Sequence, residues 1–345
     1  MKPVVLGVLA AAALAAPAVA QPAATTFVQA GRVLVDPASG KVETNKTLVI
    51  QNGKVVRIAD GHVSEPGGKV VDLKSDFGLP GLIDSHVHIT NQQGEGNRVA
   101  RFTNTAADSA VQGAAYALVT LRAGFTTVAD LGGASDAVVA LRNGIAAGKI
   151  PGPRLLVSAG TVTPHGGHGD ANGVNSALVP VLRQNGVCSG ADDCRRSVRE
   201  RVRAGADIIK ITATGGVLSD TGAGLNQQFS NEELQAIVET AHFLGRTVTA
   251  HAPGTDGINS FLRAGGDSIE HGTFLDDESI RIFKANNGWL VPTLLAGDFV
   301  AREAARPETF FTPNQRKKSL EAGPQMLDMA RRAHRAGIQI AFGTD

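Results

Sequence analysis

Cysteine and aromatic residues are scarce in this sequence. Two cysteines, Cys188 and Cys194, occur among 345 residues, and aromatic residues make up only 4%. The spacing of the cysteines fits neither a zinc ribbon nor a redox-active pair, so both kinds of site are excluded. The two thiols either close a local disulfide after export or stay unpaired, and the sequence leaves this open. With so few aromatic rings, stacking gives no guide to the ligand.

An excess of charge of either sign is also missing. The chain has 33 Lys+Arg and 32 Asp+Glu residues, which gives a formal net charge of +1. This balance excludes the strongly basic surface of a protein that binds nucleic acid or anionic membrane. We therefore predict a small-molecule or dipeptide substrate and no nucleic-acid partner. Because hydrophobic residues make up 43% and charged residues 19%, we expect a large folded core.

Apolar runs of membrane-spanning length are absent after the N-terminal segment. Residues 1–20 combine a positive start at Lys2, the apolar stretch Val4–Ala16 and the small-residue cleavage pattern Ala18-Val19-Ala20. A membrane anchor is the alternative interpretation, but the stretch is too short to cross a bilayer comfortably. We predict a signal peptide over residues 1–20, a periplasmic or secreted protein, and no membrane insertion after its removal.

Short alternating strands separated by turn residues are expected from Thr25 to Leu73. The strongest hairpin signal is Asn52-Gly53, flanked by the β-favouring runs Thr47–Gln51 and Lys54–Ile58. We predict that residues 21–78 form an N-terminal β-sandwich portion. This segment is too small to be a comfortable free-standing sandwich.

From residue 79 onward the pattern changes to alternating strands and helices. Helical stretches include Asp108–Arg122, Asn231–Leu244 and Gln315–His334, and Ser230 with Glu233 makes a capping-box pattern. The predicted strands are Leu82–Ile89, Thr126–Leu131, Arg154–Ala159, Asp207–Ala213, Thr247–Ala252, Asp267–Gly272, Trp289–Leu295 and Gln339–Thr344.

Eight strands in this alternation predict an α/β fold, a (β/α)8 TIM barrel over residues 79–345. A doubly wound sheet is the alternative, but Gly166-Gly167-His168-Gly169 does not supply a nucleotide-binding fingerprint. The sequence stops at Asp345, directly after the last predicted strand. We therefore expect a barrel that lacks its last helix and a C-terminally truncated chain.

His86 and His88 form a His-x-His pair inside the segment Gly81–Ile89. Pro80 and Gly81 mark the start of a strand, and alternation with period two places both imidazoles on one face. Two imidazoles on one face are close enough to bind a single metal ion. A lone His-x-His pair is not specific, but it gains weight from ligand candidates on later strands.

Those candidates lie at the C-terminal ends of predicted strands, where the active sites of such barrels gather. They are Lys210 on the fourth strand, His251 on the fifth, His271 on the sixth and Asp345 on the eighth. Lys210 lies in an apolar run, where an ammonium is costly to bury unless it is paired or discharged. It either reaches a carboxylate across the barrel or reacts with carbon dioxide to give an anionic carbamate that bridges two cations.

Three features therefore occur together: Pro80-Gly81-Leu82-Ile83-Asp84-Ser85-His86-Val87-His88, the set Lys210, His251 and His271, and the final Gly343-Thr344-Asp345. In these features the sequence resembles the metal-dependent amidohydrolase superfamily. Within it, the sequence is similar to a branch of imidazolonepropionase-like proteins, prolidase-type Xaa-Pro dipeptidases and enzymes that hydrolyse N-acyl amino acids such as ochratoxin.

The resemblance implies a centre of two divalent metal ions, most often zinc. His86 and His88 would hold one ion with Asp345, His251 and His271 would hold the second, and carbamylated Lys210 would bridge both. A hydroxide shared by the ions would attack the scissile carbonyl, and Asp345 would take the proton and pass it to the leaving amine. Lys210 and Asp345 are thus the predicted catalytic residues. Asp84 is expected to orient ligating groups rather than bind metal.

The glycine-rich segment Thr161–Asp170 follows the third predicted strand and would lie on the same face of the barrel. Its glycines allow the backbone to approach a ligand closely. We predict that His165 or His168 contacts the substrate at its carbonyl oxygen or carboxylate. The alternative is a flexible surface loop whose histidines are incidental.

These features predict an exported metal-dependent hydrolase that cleaves an amide or peptide bond. The substrate would be a dipeptide, Xaa-Pro or similar, or an N-acyl amino acid such as ochratoxin. The alternatives are a cyclic amidohydrolase resembling imidazolonepropionase and a non-catalytic metal-binding fragment. An uncovered barrel seam would encourage self-association into a homo-oligomer.

Overall fold

The computed structural model describes residues 25–183 and 186–345, so the predicted signal peptide lies outside the described residues. The chain divides into two compact units, with the boundary between Pro80 and Gly81. In the ranges just given, every helix is too short or too polar to cross a membrane.

The described residues of the first unit form a four-stranded sheet in the order β3-β2-β1-β4. Its strands are β1 (Thr26–Asp36), β2 (Lys41–Gln51), β3 (Lys54–Asp60) and β4 (Lys69–Gly78). The hairpin predicted at Asn52-Gly53 is confirmed, because both residues have positive φ, 50° and 72°, and join the antiparallel strands β2 and β3. Residues 25–80 contain this one sheet, so the predicted sandwich stays a prediction.

The second unit has ten short strands, all paired in parallel, in the orders β14-β13-β12-β11-β10-β8-β9 and β5-β6-β7. They are β5 (Leu82–Val87), β6 (Phe125–Asp130), β7 (Arg154–Val157), β8 (Thr161–Pro164), β9 (Val187–Cys188), β10 (Ile209–Thr212), β11 (Val248–His251), β12 (Ser268–Glu270), β13 (Trp289–Val291) and β14 (Gln339–Ile340). The predicted α/β fold with a parallel sheet is confirmed.

Helices follow most of these strands. They are α1 (Asn97–Thr103), α2 (Ala106–Arg122), α3 (Ser135–Ala146), α4 (Val179–Leu182), α5 (Ala191–Ala204), α6 (Asn231–Phe243), α7 (Thr255–Arg263), α8 (Asp277–Asn286), α9 (Leu294–Ala305), α10 (Pro313–Ala322) and α11 (Met326–Arg335), with 3₁₀ turns at Ser176–Leu178 and Gly323–Gln325. The capping box predicted at the start of α6 is present, since Ser230 and Glu233 exchange side-chain-to-backbone hydrogen bonds.

The single helix predicted over Gln315–His334 is wrong. The chain forms α10 and α11 instead, separated by the 3₁₀ turn Gly323–Gln325. Pro324 in this turn has no N–H to donate, and its ring clashes with the preceding helical turn, so one continuous helix is disfavoured.

The third predicted strand, Arg154–Ala159, ends two residues early, and a further strand follows it. β7 ends at Val157, because Ala159 and Gly160 adopt positive φ of 51° and 95° and take the chain out of the extended conformation. β8 then begins at Thr161, in the segment predicted to be a loop.

The seventh predicted strand, Trp289–Leu295, ends early at Val291. Thr293 has a φ of 46°, a left-handed conformation that is costly for a β-branched residue, and α9 begins directly after it. After this turn, the Thr293 hydroxyl lies beside His271, the residue that follows β12.

Alternation along the strands separates a helix-facing side from an inner side. Ile209, Ile211 and Ala250 are completely buried in a hydrophobic cluster shared with Ile237 of α6 and Phe261 of α7. The intervening residues on the same strands, such as Lys210 and Thr249, therefore face inward. The strand period thus places the polar side chains on the concave side of the sheet.

Cys188 and Cys194 form a disulfide, with their Cα atoms 5.1 Å apart. The bond joins β9 to the first turn of α5, and both residues are completely buried or nearly so. Of the two states that the sequence left open, the structure has the bonded one.

We expect reduction of this disulfide to lower the free energy of unfolding by roughly 2 kcal/mol, because a short closed loop restricts the unfolded chain only modestly. Urea unfolding with and without a thiol reductant measures the difference. The Cys188→Ser/Cys194→Ser variant is the control and should not respond to reductant. An equal response of variant and wild type would show that the reductant acts elsewhere.

Candidate metal centre

His86, His88 and Asp345 converge at the end of β5. Alternation in this strand buries His86, which is 1% exposed, and leaves His88 half-buried on the same face. Oδ1 of Asp345 lies 3.2 Å from Nε2 of His86 and 3.0 Å from Nε2 of His88. All three donor atoms lie within 4.8 Å of one another, which is close enough to share one cation.

His251 and His271 extend this cluster on the neighbouring strands. Their ring centroids are 4.6 Å apart, and the ring of His271 lies 5.4 Å from that of His86. His271 follows the last residue of β12 and has a φ of 70°, which turns its ring away from the simple strand alternation. Its Nδ1 lies 2.7 Å from the hydroxyl of Thr293.

Lys210 lies in β10 beside the first histidine. It is 4% exposed, and its Nζ lies 3.5 Å from Nε2 of His86. Burial lowers the pKa of Lys210, although the carboxylates of Glu270 and Asp345 oppose that shift. A lower pKa increases the fraction of neutral amine, which is the form that reacts with carbon dioxide.

The protonation states of His251, His271 and Asp345 suit cation binding. His86 differs, because burial would lower its pKa but Asp345 and Glu270 outweigh burial and raise it. Burial, reinforced by the neighbouring imidazoles and Lys210, holds the pKa of His251 well below its usual value. Burial does the same for His271, although Asp345 opposes it. Burial would raise the pKa of Asp345, but His86 and His88 outweigh it and hold that pKa well below its usual range. Neutral imidazoles and an ionised carboxylate are the forms that bind metal.

One buried nitrogen without a hydrogen-bond partner also supports cation binding at this cluster. Within residues 25–183 and 186–345, Nε2 of His251 is buried and has no hydrogen-bond partner. A buried polar atom without a partner costs free energy unless a ligand satisfies it. Imidazole nitrogens and carboxylate oxygens are donors that zinc accepts readily, so the residues present fit divalent cations.

The two histidines predicted to contact substrate have different surroundings. The ring of His168 stacks on that of His251 at a centroid distance of 4.2 Å. A Cβ on Gly216 would lie 2.3 Å from the His168 ring, so only glycine permits this packing. The ring of His165 is exposed instead, and its Nε2 lies 3.0 Å from Nη2 of Arg183. The structure therefore brings His168, but not His165, into the cluster.

Asp84 holds the chain around the candidate ligands. Its carboxylate accepts hydrogen bonds from the backbone N–H of His86 at 3.1 Å and from the backbone N–H and hydroxyl of Thr344 at 3.1 and 2.7 Å. These contacts join β5 to the residue before Asp345. They fit the orienting role that we expected of Asp84.

Sequence reasoning missed Glu270 and Thr293, which contact the cluster. Oε2 of Glu270 lies 2.6 Å from Nδ1 of His86, and the carboxylate is 1% exposed. A carboxylate directly before His271, at the end of the short strand β12, was the available signal. Thr293 gave no such signal, because its position depends on the unexpected turn after β13.

The amidohydrolase family profile matches residues 77–345. This chain belongs to the amidohydrolase family. It is 29% identical to the ochratoxinase of Aspergillus niger over 343 residues, which cover 94% of this chain and 69% of that enzyme.

Solved structures show the same relationship. A Xaa-Pro dipeptidase crystallised with methionine in its active site is 37% identical and superposes with a TM-score of 0.87, covering 93% of this chain and 79% of that one. A prolidase crystallised with N-methylphosphonate-L-proline is 29% identical with a TM-score of 0.82, covering 93% and 78%. The predicted branch of the superfamily is therefore confirmed.

Proposed function

We propose that this protein hydrolyses an amide bond in a dipeptide or an N-acyl amino acid with the help of two zinc ions, and that Lys210, carbamylated by carbon dioxide, is one of the residues that would hold them. The observation that most supports this proposal is that six candidate ligands form a single cluster: His86, His88, Lys210, His251, His271 and Asp345. Relatives named ochratoxinase and Xaa-Pro dipeptidase support amide substrates with a free carboxylate.

The same proposal includes a closed (β/α)8 barrel. Backbone hydrogen bonds link both edges of the three-stranded sheet to the larger sheet: the Ser85 N–H donates to the Phe342 carbonyl at 2.8 Å, and the Asp207 N–H donates to the Val157 carbonyl at 2.8 Å. Residues of both sheets also line one cavity of about 390 Å³; Ile83 and Ala341 are among them. Closure would place all the candidate ligands at the C-terminal end of one barrel.

Each cluster residue then has a chemical task. When bound, the cations would polarise the scissile carbonyl and lower the pKa of water. Asp345 directs Oδ1 toward both His86 and His88, which leaves Oδ2 to accept a proton from the attacking water. The same oxygen would return that proton to the leaving nitrogen, which must be protonated to depart as an amine.

His168 is the proposed contact to the substrate. Burial, together with the charges of Lys318 and Lys210, lowers the pKa of His168 to about 4, so its imidazole is neutral at neutral pH. Within the described ranges, its Nδ1 is buried without a hydrogen-bond partner. A neutral ring beside His251 could donate a hydrogen bond to the carbonyl oxygen as negative charge develops there.

We also propose that the protein is exported and works in the periplasm or outside the cell. The disulfide between Cys188 and Cys194 supports export, since such bonds persist in oxidising compartments.

A substrate panel tests the proposed function. Protein supplied with zinc and bicarbonate is offered Xaa-Pro dipeptides, other dipeptides, N-acyl amino acids including ochratoxin, and a cyclic imide or lactam, and the hydrolysis product of each is measured by chromatography. Zinc-dependent cleavage of linear amides supports the proposal. Cleavage of only cyclic substrates would favour the cyclic amidohydrolase, and zinc binding without any turnover would favour a non-catalytic protein.

His168→Ala and His165→Ala form a matched pair. We expect His168→Ala to lower kcat/KM by about 10²-fold, the effect of losing one hydrogen-bond donor to a developing oxyanion. We expect His165→Ala to leave kcat/KM within about twofold, because its ring is exposed and faces Arg183. Steady-state kinetics on the best substrate of the panel measures both. Equal losses in the two variants would remove His168 from the proposed role.

A further inference from the structure

Glu270 is a buried carboxylate to which the proposed chemistry assigns no task. It is the last residue of β12 and 1% exposed. Oε2 lies 2.6 Å from Nδ1 of His86, and Oε1 accepts a hydrogen bond from the hydroxyl of Thr249. Both oxygens are therefore held by side chains from other strands, so the carboxylate has one fixed orientation.

This contact determines which nitrogen of His86 is available to a ligand. With Nδ1 donating to Glu270, the lone pair is on Nε2. That atom faces Oδ1 of Asp345 at 3.2 Å and Nζ of Lys210 at 3.5 Å. Glu270 thus selects the tautomer of His86 and directs it at the other candidate ligands.

The corresponding contact of His271 is different. Its Nδ1 lies 2.7 Å from the hydroxyl of Thr293, which is a neutral group. A carboxylate makes its partner imidazole a more basic ligand than a hydroxyl does, because it stabilises positive charge on the ring. The two halves of the cluster are therefore unequal in the strength of their histidine donors.

We propose that Glu270 is a positioning residue that makes the site of His86, His88 and Asp345 the tighter of the two cation sites. This inference rests on the proposed function, because it concerns cations bound at the same cluster. It adds an order of loading: the first zinc ion binds beside His86, and the second binds beside His251 and His271.

Zinc titration of metal-free protein against a chromophoric chelator tests the order of loading. Glu270→Gln keeps the shape of the side chain but removes its charge. We expect it to weaken the tighter binding step by about 10- to 100-fold and to leave the weaker step unchanged. Glu303→Gln is the matched control, because Glu303 of α9 is another buried carboxylate, 5% exposed, and pairs with Arg306 directly after that helix.

Thr249→Val provides a second variant in case Glu270→Gln does not fold. It removes the hydroxyl that holds Oε1 of Glu270, so we expect a smaller loss in the same binding step. In the zinc-loaded protein, the Nδ1–H proton resonance of His86 should move in Glu270→Gln and stay in place in Glu303→Gln. A structural role for Glu270 would not shift that resonance selectively.

The outcomes separate this inference from the proposed function. Wild-type affinity for both zinc ions in Glu270→Gln, or equal weakening of both steps, would overturn the inference alone. Two zinc ions with the expected loss in Glu270→Gln, but no turnover of any amide, would support it while the proposed hydrolysis fails. No zinc uptake by the wild-type protein would overturn both.

Discussion

Replacing Lys210 by alanine is expected to lower the zinc content from close to two ions per chain to one or fewer. Lys210 is buried, and its Nζ lies 3.5 Å from the nitrogen of His86 that faces the cluster. As a carbamate it would supply a negative charge that offsets the repulsion between two cations. We expect kcat/KM to fall by about 10³-fold or more, a loss of about 4 kcal/mol in transition-state stabilisation. Elemental analysis and steady-state kinetics measure the two effects.

Rescue experiments distinguish the carbamate from a structural ion pair. If Lys210 forms a carbamate, zinc uptake by the wild-type protein will depend on bicarbonate, and acetate will partly restore zinc to Lys210→Ala by filling the vacated space. If the lysine only pairs with a carboxylate such as Glu270, bicarbonate will have no effect on zinc uptake. The second result would contradict the proposed bridging role.

Asp345→Asn is expected to reduce kcat by about 10²- to 10⁴-fold, the usual contribution of a positioned acid–base group. The substitution preserves the shape of the side chain but removes its charge and its ability to carry a proton. His86 and His88 hold the pKa of Asp345 well below its usual range, so the wild-type group is a carboxylate at neutral pH. Kinetics at saturating zinc separates lost catalysis from lost metal.

Asp328→Asn is the control for this substitution. Its side chain is 82% exposed on α11 and pairs with Arg331 at 3.1 Å, so kcat should not change. A normal kcat in Asp345→Asn at saturating zinc would contradict the proton-transfer role and leave Asp345 as a metal ligand at most.

The sequence was a sufficient basis for much of the fold. The change from hairpin signals to a strand–helix rhythm predicted the parallel α/β unit, and the capping box at Ser230 predicted the start of α6 correctly. Local patterns succeed here because alternation, caps and turn residues act over a few positions. They failed after β7, where Ala159 adopts a positive φ that its residue type does not favour.

The candidate metal centre, like the fold, could be predicted only in part from local patterns. His86 and His88 share a strand, so period two sufficed to place them together. His271 and Glu270 are neighbours, and simple alternation would send them to opposite faces. Both reach the cluster because the strand ends at Glu270 and His271 has a φ of 70°. A positive φ is uncommon for a residue other than glycine, so this turn could not be predicted from the residue types.

By itself, the sequence determined the family and the identity of the candidate ligands, because these depend on residue types at fixed spacings and on the order of strands. Only the tertiary structure decided that His168, rather than His165, stacks on His251. It alone also paired Glu270 with His86 across a separation of 184 residues. Contacts of this kind depend on how distant segments pack, and no local pattern in the chain encodes them.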